Sequence, residues 1–511
     1  MPENGRTETS KKGETAAHYF LPNMQSYLRA FDEVPTSAGR YTIPLTMRES
    51  LLIKLRNNVS SHRSELFRKT PVVFEDPLYP VPMEWQAIIE YLYQTGTLRV
   101  PHATFDNIIP DEPKIYALRL WAAPSPGDGG NSIVEGGYSR GVSHDFTEAI
   151  SKVIGEFLER YTQTVYRNKD LYRASIADMR KKKKYFLDLS VADQWSDWQK
   201  NRFPSRRFDD CSIFQWVQGR SLTRKKSAYI PAQMVYMNYR FIENEPIVRR
   251  PISNGAGGMF TYEEAVLSGL HELIQRDAFL FHWLTKQAPA KIDPKSLRNA
   301  EIMKCLADFA RYKLECVILD TTHDLCAPSF VAVLLDRTGV GPAVTLGGGC
   351  GFDQEKAILR AMTEAIGVRS WLRTTRQKRA EPLPRMSDRE PFTEDWGPTN
   401  RLLLWYGLET IPLIEPFLAG KEGALDRSRN KSFVSPQEEI DYLVEEFKKR
   451  GDGYEIFVYK AKHKILDDLG YVSVRVCVPA ILPLYLMETY APIGSKRLEG
   501  YEVNTLPQPF P

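Results

Sequence analysis

Three stretches of this 511-residue chain repeat one pattern, a glycine-rich run followed by a helix-forming segment that carries glutamate. They are "EGGYSRGVSHDFTEAISKVIGEFLERY", "SNGAGGMFTYEEAVLSGLHELIQRDAF" and "LGGGCGFDQEKAILRAMTEAIGVRSW". Glu156, Glu272 and Glu364 stand 13 to 15 residues beyond Gly141, Gly258 and Gly351. The helix starts are marked. Thr261 with Glu264 reads as a capping box and Asp353 as an N-cap, because their side-chain oxygens can accept the first free backbone N–H groups. Glycine reaches conformations closed to other residues and lets backbone amides approach a ligand closely. The pattern therefore reads as a turn and a helix, three times over.

Spacing decides which side chains share a face. Glu156, Glu159 and Arg160 lie at i, i+3 and i+4, and Glu272, Gln275 and Arg276 repeat that geometry. Arg360 precedes Glu364 by one turn, whereas Arg369 follows it by five residues, about 140° around the helix. A single string of this kind is common on exposed helices. Here the acids are flanked by Ile154, Phe157, Leu158, Leu270, Leu273 and Ile366, so the helices should be largely buried. Carboxylates gathered out of water repel one another unless a cation neutralises them. Several hard oxygen ligands suit Mg2+, which commonly also takes phosphate oxygens, and arginines suit phosphate. The expectation is a Mg2+–nucleotide site built from three helices. No G-x-x-x-x-G-K-[ST] run occurs, so it is not a P-loop.

The remainder of the chain frames that site. Residues 1–16 read as disordered, and 17–95 as a small N-terminal subdomain with amphipathic helices in "TMRESLLIKLRNNVSSHRSELF" and "PMEWQAIIEYLYQTG". From 96 to 511 strand-like runs such as "SFVAVLLDR" and "VSVRVCVP" alternate with helical stretches, which predicts a large α+β body. The polar, proline-rich stretch 376–400 reads as a mobile loop. A net charge of +4 argues against a dedicated nucleic-acid binder, and "RKKKK" at 180–184 reads as a solvated face. No run of about 18 apolar residues predicts a membrane span. Six scattered cysteines, none in a C-x-x-C pair, and a polar N-terminus without an apolar core fit the cytoplasm.

The ordered set of motifs resembles the YcaO family over roughly residues 85–511. Glu156, Glu159 and Arg160 match its E-x-x-E-R helix, and Ser268, Glu272 and Arg276 match its S-x-x-x-E-x-x-E-R helix. "AMTEAIGVR" is similar to its A-[LM]-T-E-x-x-Q-x-R segment through Glu364 and Arg369. "YSRGVS" resembles its S-G-K-G-x-[ST] turn, with Arg140 in the lysine place and Ser143 at its end. The resemblance implies Mg2+ on Glu156, Glu159, Glu272, Gln275 and Glu364. It implies ATP contacts from Arg140, Ser143, Arg160, Ser268, Arg276 and Arg369. Two positions depart from the pattern: Gln275 replaces a glutamate and Gly367 replaces a glutamine.

The ending "NTLPQPFP" resembles the P-x-P-x-P close of the azoline-forming branch. It implies a catalytic tail of Pro507, Pro509 and Pro511 that docks as a stiff extended strip, is dispensable for folding, and brings a carboxylate to the reacting amide. The implied activity is ATP-dependent cyclodehydration: Cys, Ser or Thr residues of a ribosomal precursor peptide become thiazolines or oxazolines. The implied partners are that peptide and a separate E1-like leader-binding protein, for which the residues before about 85 are too few. An FMN-dependent azoline dehydrogenase would follow, and a homodimer is compatible with all of this. Three alternatives stand beside it: a non-catalytic YcaO scaffold in a synthetase complex, a YcaO ligase making thioamides or amidines, and an unrelated metal-dependent ligase.

Overall fold

A computed structural model describes residues 81–105, 111–123 and 138–511. The expected disordered segment and most of the expected N-terminal subdomain, including its first helix, lie outside the described residues. The chain begins with helix α1 (Met83–Gln94), strands β1 (Thr104–Phe105), β2 (Tyr116–Trp121) and β3 (Tyr138–Ser143), and helix α2 (Phe146–Thr162). Strands β4 (Tyr172–Ser175), β5 (Ile213–Ser221), β6 (Lys226–Pro231) and β7 (Ala256–Met259) lead to helix α3 (Tyr262–Leu284). Strand β8 (Ala290–Ile292), helix α4 (Ala300–Arg311), strands β9 (Leu314–Asp320), β10 (Ser329–Asp336) and β11 (Val344–Cys350), and helix α5 (Gln354–Lys378) follow. Strand β12 (Glu422–Gly423), helix α6 (Pro436–Lys448) and strands β13 (Phe457–Lys460) and β14 (Val472–Cys477) complete the set; shorter helical turns lie between.

The strands form three sheets, ordered β1-β2-β3, β11-β10-β9-β8-β12 and β4-β5-β13-β14-β7, with β6 paired to β5. The architecture is the expected α+β. β10 is buried at all eight positions because it lies inside its sheet with both faces covered, so "SFVAVLLD" reads as one apolar run. α1 buries Trp85, Ile88, Ile89 and Leu92 in the same core as α2 and β5. The stretch after α5 is pinned by buried Phe392 and Trp396 rather than lying free.

The glycine-rich runs read as turns are strands: β3, β7 and β11. Each is the terminal strand of its sheet. Glycine disfavours strands unless another backbone must come close. Here a helix does. A Cβ on Gly141, Gly257 or Gly349 would lie 2.0, 2.0 or 1.9 Å from the carbonyl oxygen of Ala149, Ala265 or Ala357, respectively. The helix thus lies directly on its own strand in all three units. With these glycines as reference, the alanine always follows by eight residues and the glutamate by fifteen. The spacing is irregular only when Gly258 and Gly351, which do not meet the helix alanine, serve as the reference.

Each helix also packs on the strand of another unit: α2 on β7, α3 on β11 and α5 on β3. The three units therefore close into a ring.

Candidate functional site: a ring of three glutamates beside the chain end

The helices start where the caps predict. Asp145, Thr261 and Asp353 accept the backbone N–H of Glu148, Glu264 and Lys356. Each helix then carries its glutamate back along the glycine strand. There the Oε2 of Glu156, Glu272 and Glu364 accepts the backbone N–H of Arg140, Gly255 and Gly348 at 2.7, 2.8 and 2.6 Å. Terminal strands present unpaired N–H groups, and a carboxylate is a strong acceptor for them.

The second oxygen of each carboxylate faces a guanidinium. Glu156 Oε1 is 2.6 Å from Arg160, Glu272 Oε1 is 3.7 Å from Arg276, and Glu364 Oε1 is 3.6 Å from the same Arg276. The cation beside Glu364 is thus Arg276, supplied by α3, and not Arg360 on its own helix. Glu159, one turn beyond Glu156, has its Cβ 3.1 Å from where a Cβ on Gly258 would sit. Its carboxyl is pushed up to about 8, first by burial and then by the neighbouring Glu272 and Glu156. Burial also raises Glu272, against the pull of Arg276.

Gln275 and Gly367 occupy the position equivalent to Glu159 in the other two units. Gln275 lies across β11 with its Nε2 1.8 Å from where a Cβ on Gly348 would sit. A Cβ on Gly367 would lie 2.9 Å from Val142 Cγ1. Glycine at 367 thus follows from the close approach of α5 to β3 rather than from any ligand.

Two expected site residues are engaged elsewhere. Arg369 is 3% exposed; its Nε donates to Glu112, its Nη1 to the Pro342 carbonyl and its Nη2 to Asp336, at 2.9, 3.0 and 2.7 Å. The expectation that it contacts phosphate is corrected: five residues beyond Glu364, it faces a different part of the core. Ser143 is buried at the far end of β3, where its hydroxyl donates to Glu148 at 2.7 Å and accepts from the Asp145 N–H. It shapes the start of α2, three strand residues or roughly 10 Å from Arg140. Ser268 is half-buried one turn before Glu272, on the same helix face.

The sequence reading missed Arg475. It stands 1% exposed in β14, donates to the Val235 and Asn254 carbonyls, and is close enough to Glu159 and Glu272 to favour their charged forms. An arginine between valines in a buried strand was the available signal.

The chain end comes to this ring. Pro507, Gln508, Pro509 and Phe510 are all buried. Arg401, 1% exposed, donates from Nη1 to the carbonyls of Gln508 and Phe510, and Trp405 Nε1 donates to that of Pro507. The Phe510 ring lies 4.7 Å from the Phe279 ring centre, and the Arg276 guanidinium lies 4.4 Å from the Phe510 ring centre. The tail is thus part of a hydrophobic core and not a detachable strip, which corrects the expectation that folding can dispense with it.

Among the described residues no three acidic, histidine or cysteine side chains stand close enough together to hold a metal ion as they are. Guanidinium groups fill the gaps instead. The donor set still fits Mg2+ and phosphate. Glu156, Glu272 and Glu364 each turn one hard oxygen toward a cation, and half-buried Arg276 has its buried Nε and Nη1 without a hydrogen-bond partner, as phosphate oxygens would supply. Among the described residues, no helix is long and apolar enough to cross a membrane.

Comparison with known proteins agrees with this geometry. A family model described as YcaO cyclodehydratase, ATP- and Mg2+-binding, matches residues 140–482. An uncharacterized protein in the tfuA 3′ region of Rhizobium leguminosarum bv. trifolii is 30% identical over 209 residues, 39% of this chain and 47% of that protein. The matches span less than half the length of the curated relatives. A heterocyclase solved in complex with substrate and cofactor superposes with TM-score 0.66 at 17% identity, over 95% of this chain and 72% of that one. The Escherichia coli microcin synthetase McbBCD complex contains a chain with TM-score 0.56 at 13% identity, over 80% of this chain and 96% of that one. At these identities the likeness is one of fold.

Proposed function

The chain belongs to the YcaO cyclodehydratase family, and on that premise we propose that it is an ATP-dependent peptide cyclodehydratase. Its substrate is a ribosomal precursor peptide whose Cys, Ser or Thr residues become thiazolines or oxazolines. A separate E1-like protein binds the leader of that peptide. One observation carries this reading above the others: the proline-bearing chain end and the glutamate ring meet at a single residue, Arg276, which lies between Glu272 and Glu364 and against Phe510.

Glu156, Glu159, Glu272 and Glu364 would hold Mg2+, with the Gln275 amide as a neutral oxygen donor. Bound Mg2+–ATP supplies the phosphoryl group that turns the poor amide-oxygen leaving group into a good one. Arg276 and Arg160, released from the carboxylates, offer their N–H groups to phosphate oxygens. Arg140 and Ser268 line the approach from β3 and α3. Arg475 balances the acid cluster from below. The buried tail keeps water from one side of Arg276 and so strengthens its electrostatic field.

The test uses the full chain, ATP, Mg2+, a Cys/Ser/Thr-rich peptide encoded beside the gene, and its leader-binding protein. Loss of one water per ring, with ADP and phosphate released, is expected. Glu272→Gln should abolish both. Sulfur-for-oxygen exchange in the peptide, or ATP use without loss of water, would reject cyclodehydration.

A further inference from the structure

Beside the glutamate ring lies an open cleft walled by Trp195, Arg249, Arg250, Asn254, Tyr485 and Tyr490 among others. Two arginines line it and no aspartate or glutamate does. Arg249 is 8% exposed, and its Nη1 has no hydrogen-bond partner. Its Nη2 makes one long contact, 3.4 Å to the Pro479 carbonyl. Asp193, the acid that most favours its charge, is itself paired with Lys200 at 2.6 Å. Burial pulls the guanidinium down to about 10, so it remains charged at neutral pH. A buried cation without a carboxylate is costly to keep. Fold stability alone would favour an apolar residue here.

The position of the cleft says what it would serve. Asn254 immediately precedes Gly255, whose N–H holds Glu272, and the cleft-lining Leu273 immediately follows Glu272. On the other side, the Leu484 and Tyr485 carbonyls accept from Asn254 and from Gln508 of the chain end. A ligand in the cleft is thus a neighbour of both the glutamate ring and the tail. Its walls are aromatic and aliphatic, and its charge is positive.

We propose that this cleft is a substrate subsite in which Arg249 takes a carboxylate carried next to an apolar or aromatic side chain of the peptide. The proposal rests on the peptide-substrate reading above. It adds a selectivity: peptides with an acidic group beside an apolar residue near the reacting position are preferred. Arg249 supplies a charge-assisted donor through its unpartnered Nη1, and Trp195, Tyr490 and Leu273 cover the apolar body.

Binding of a fragment pair tests it without requiring turnover, so a failed heterocyclisation assay leaves the result readable. N-acetylphenylalanine and N-acetylphenylalaninamide share one body and differ in the carboxylate. By ligand-observed NMR on the full chain, the carboxylate should bind at least fivefold more tightly than the amide. Arg249→Gln should erase that difference, and the affinity for Mg2+ with a non-hydrolysable ATP analogue should stay within twofold. Should Arg249→Gln fold poorly, Leu486→Trp fills the same cleft without touching the charge and should abolish binding of both fragments. Equal binding of the two fragments to the unaltered protein overturns the proposal. So does a tenfold loss of nucleotide affinity in Arg249→Gln, which would make the cleft part of the nucleotide site.

Discussion

Replacing Phe510 by alanine should uncouple the chain end from the glutamate ring. The ring of Phe510 is fully buried between Phe279, Arg276 and the bare backbone of Gly348. Phe→Ala at such a site costs about 3–5 kcal/mol. Of that, the desolvated guanidinium–ring contact with Arg276 accounts for roughly 2 kcal/mol. The alanine variant should therefore shift the docking equilibrium of the tail by about two to four orders of magnitude. Hydrogen–deuterium exchange of the peptide covering 501–511 reads this directly, and protection of that peptide should fall while that of β10 is unchanged. Phe510→Leu separates the two contributions, since leucine keeps most of the volume but has no ring face. In that variant the tail should stay protected while affinity for Mg2+–nucleotide drops severalfold, because Arg276 loses the surface that holds it between Glu272 and Glu364. If the leucine variant binds nucleotide like the unaltered protein, the ring does not position Arg276. If the alanine variant keeps its protection, the tail is held by Arg401 and Trp405 alone.

Three further outcomes are expected. Glu159 has its pKa raised from 4.5 to about 8, so the stability it contributes is full below pH 4.5 and is lost as pH rises through about 8. Mg2+ binding at pH 7 should therefore expel a proton, seen in calorimetry as heats that scale with buffer ionisation enthalpy; heats independent of buffer would contradict this. Gln275→Glu places another carboxylate beside Arg276 and should raise Mg2+ affinity severalfold, while unchanged affinity would remove residue 275 from the metal site. Arg369→Met leaves Asp336 buried without its cation and Glu112 with Arg373 alone, at a cost of about 3–5 kcal/mol in urea unfolding; a folded variant that had lost nucleotide binding would return Arg369 to the site.

The helices were legible because apolar period, caps and acid spacing all reside within one segment. So was the convergence of Glu156, Glu272 and Glu364, and the chain end lies beside them at Arg276. The glycine strands were not. Nothing local distinguishes a glycine that turns the chain from one that admits a helix backbone, and the partner atoms of Gly141, Gly257 and Gly349 belong to the following helix. Gly367 read only as a departure from the family pattern because Val142, the residue it packs against, is far away in sequence. Arg369 lay where a family motif expects a phosphate contact, and only the positions of Glu112 and Asp336 reveal its structural pairing. Arg475 and Arg401 escaped notice because their acceptors are backbone carbonyls distant along the chain.

The closed ring also bears on how such a chain can be assembled. Its last joint, α5 on β3, unites positions more than two hundred residues apart, Gly367 and Val142. Contacts of that span are entropically late, since the intervening loop must be closed before they give anything back. Each strand–helix unit, by contrast, can form from about 25 to 35 consecutive residues. The units should therefore mature early and separately, and the carboxylates should meet only in the final step. Until then each glutamate can stay hydrogen-bonded to its own strand, which spares the nascent chain the repulsion of the finished cluster. Insertions between units would slow that last joint yet leave the fifteen-residue register inside each unit intact, so length variation in this architecture should concentrate in the segments that link one unit to the next.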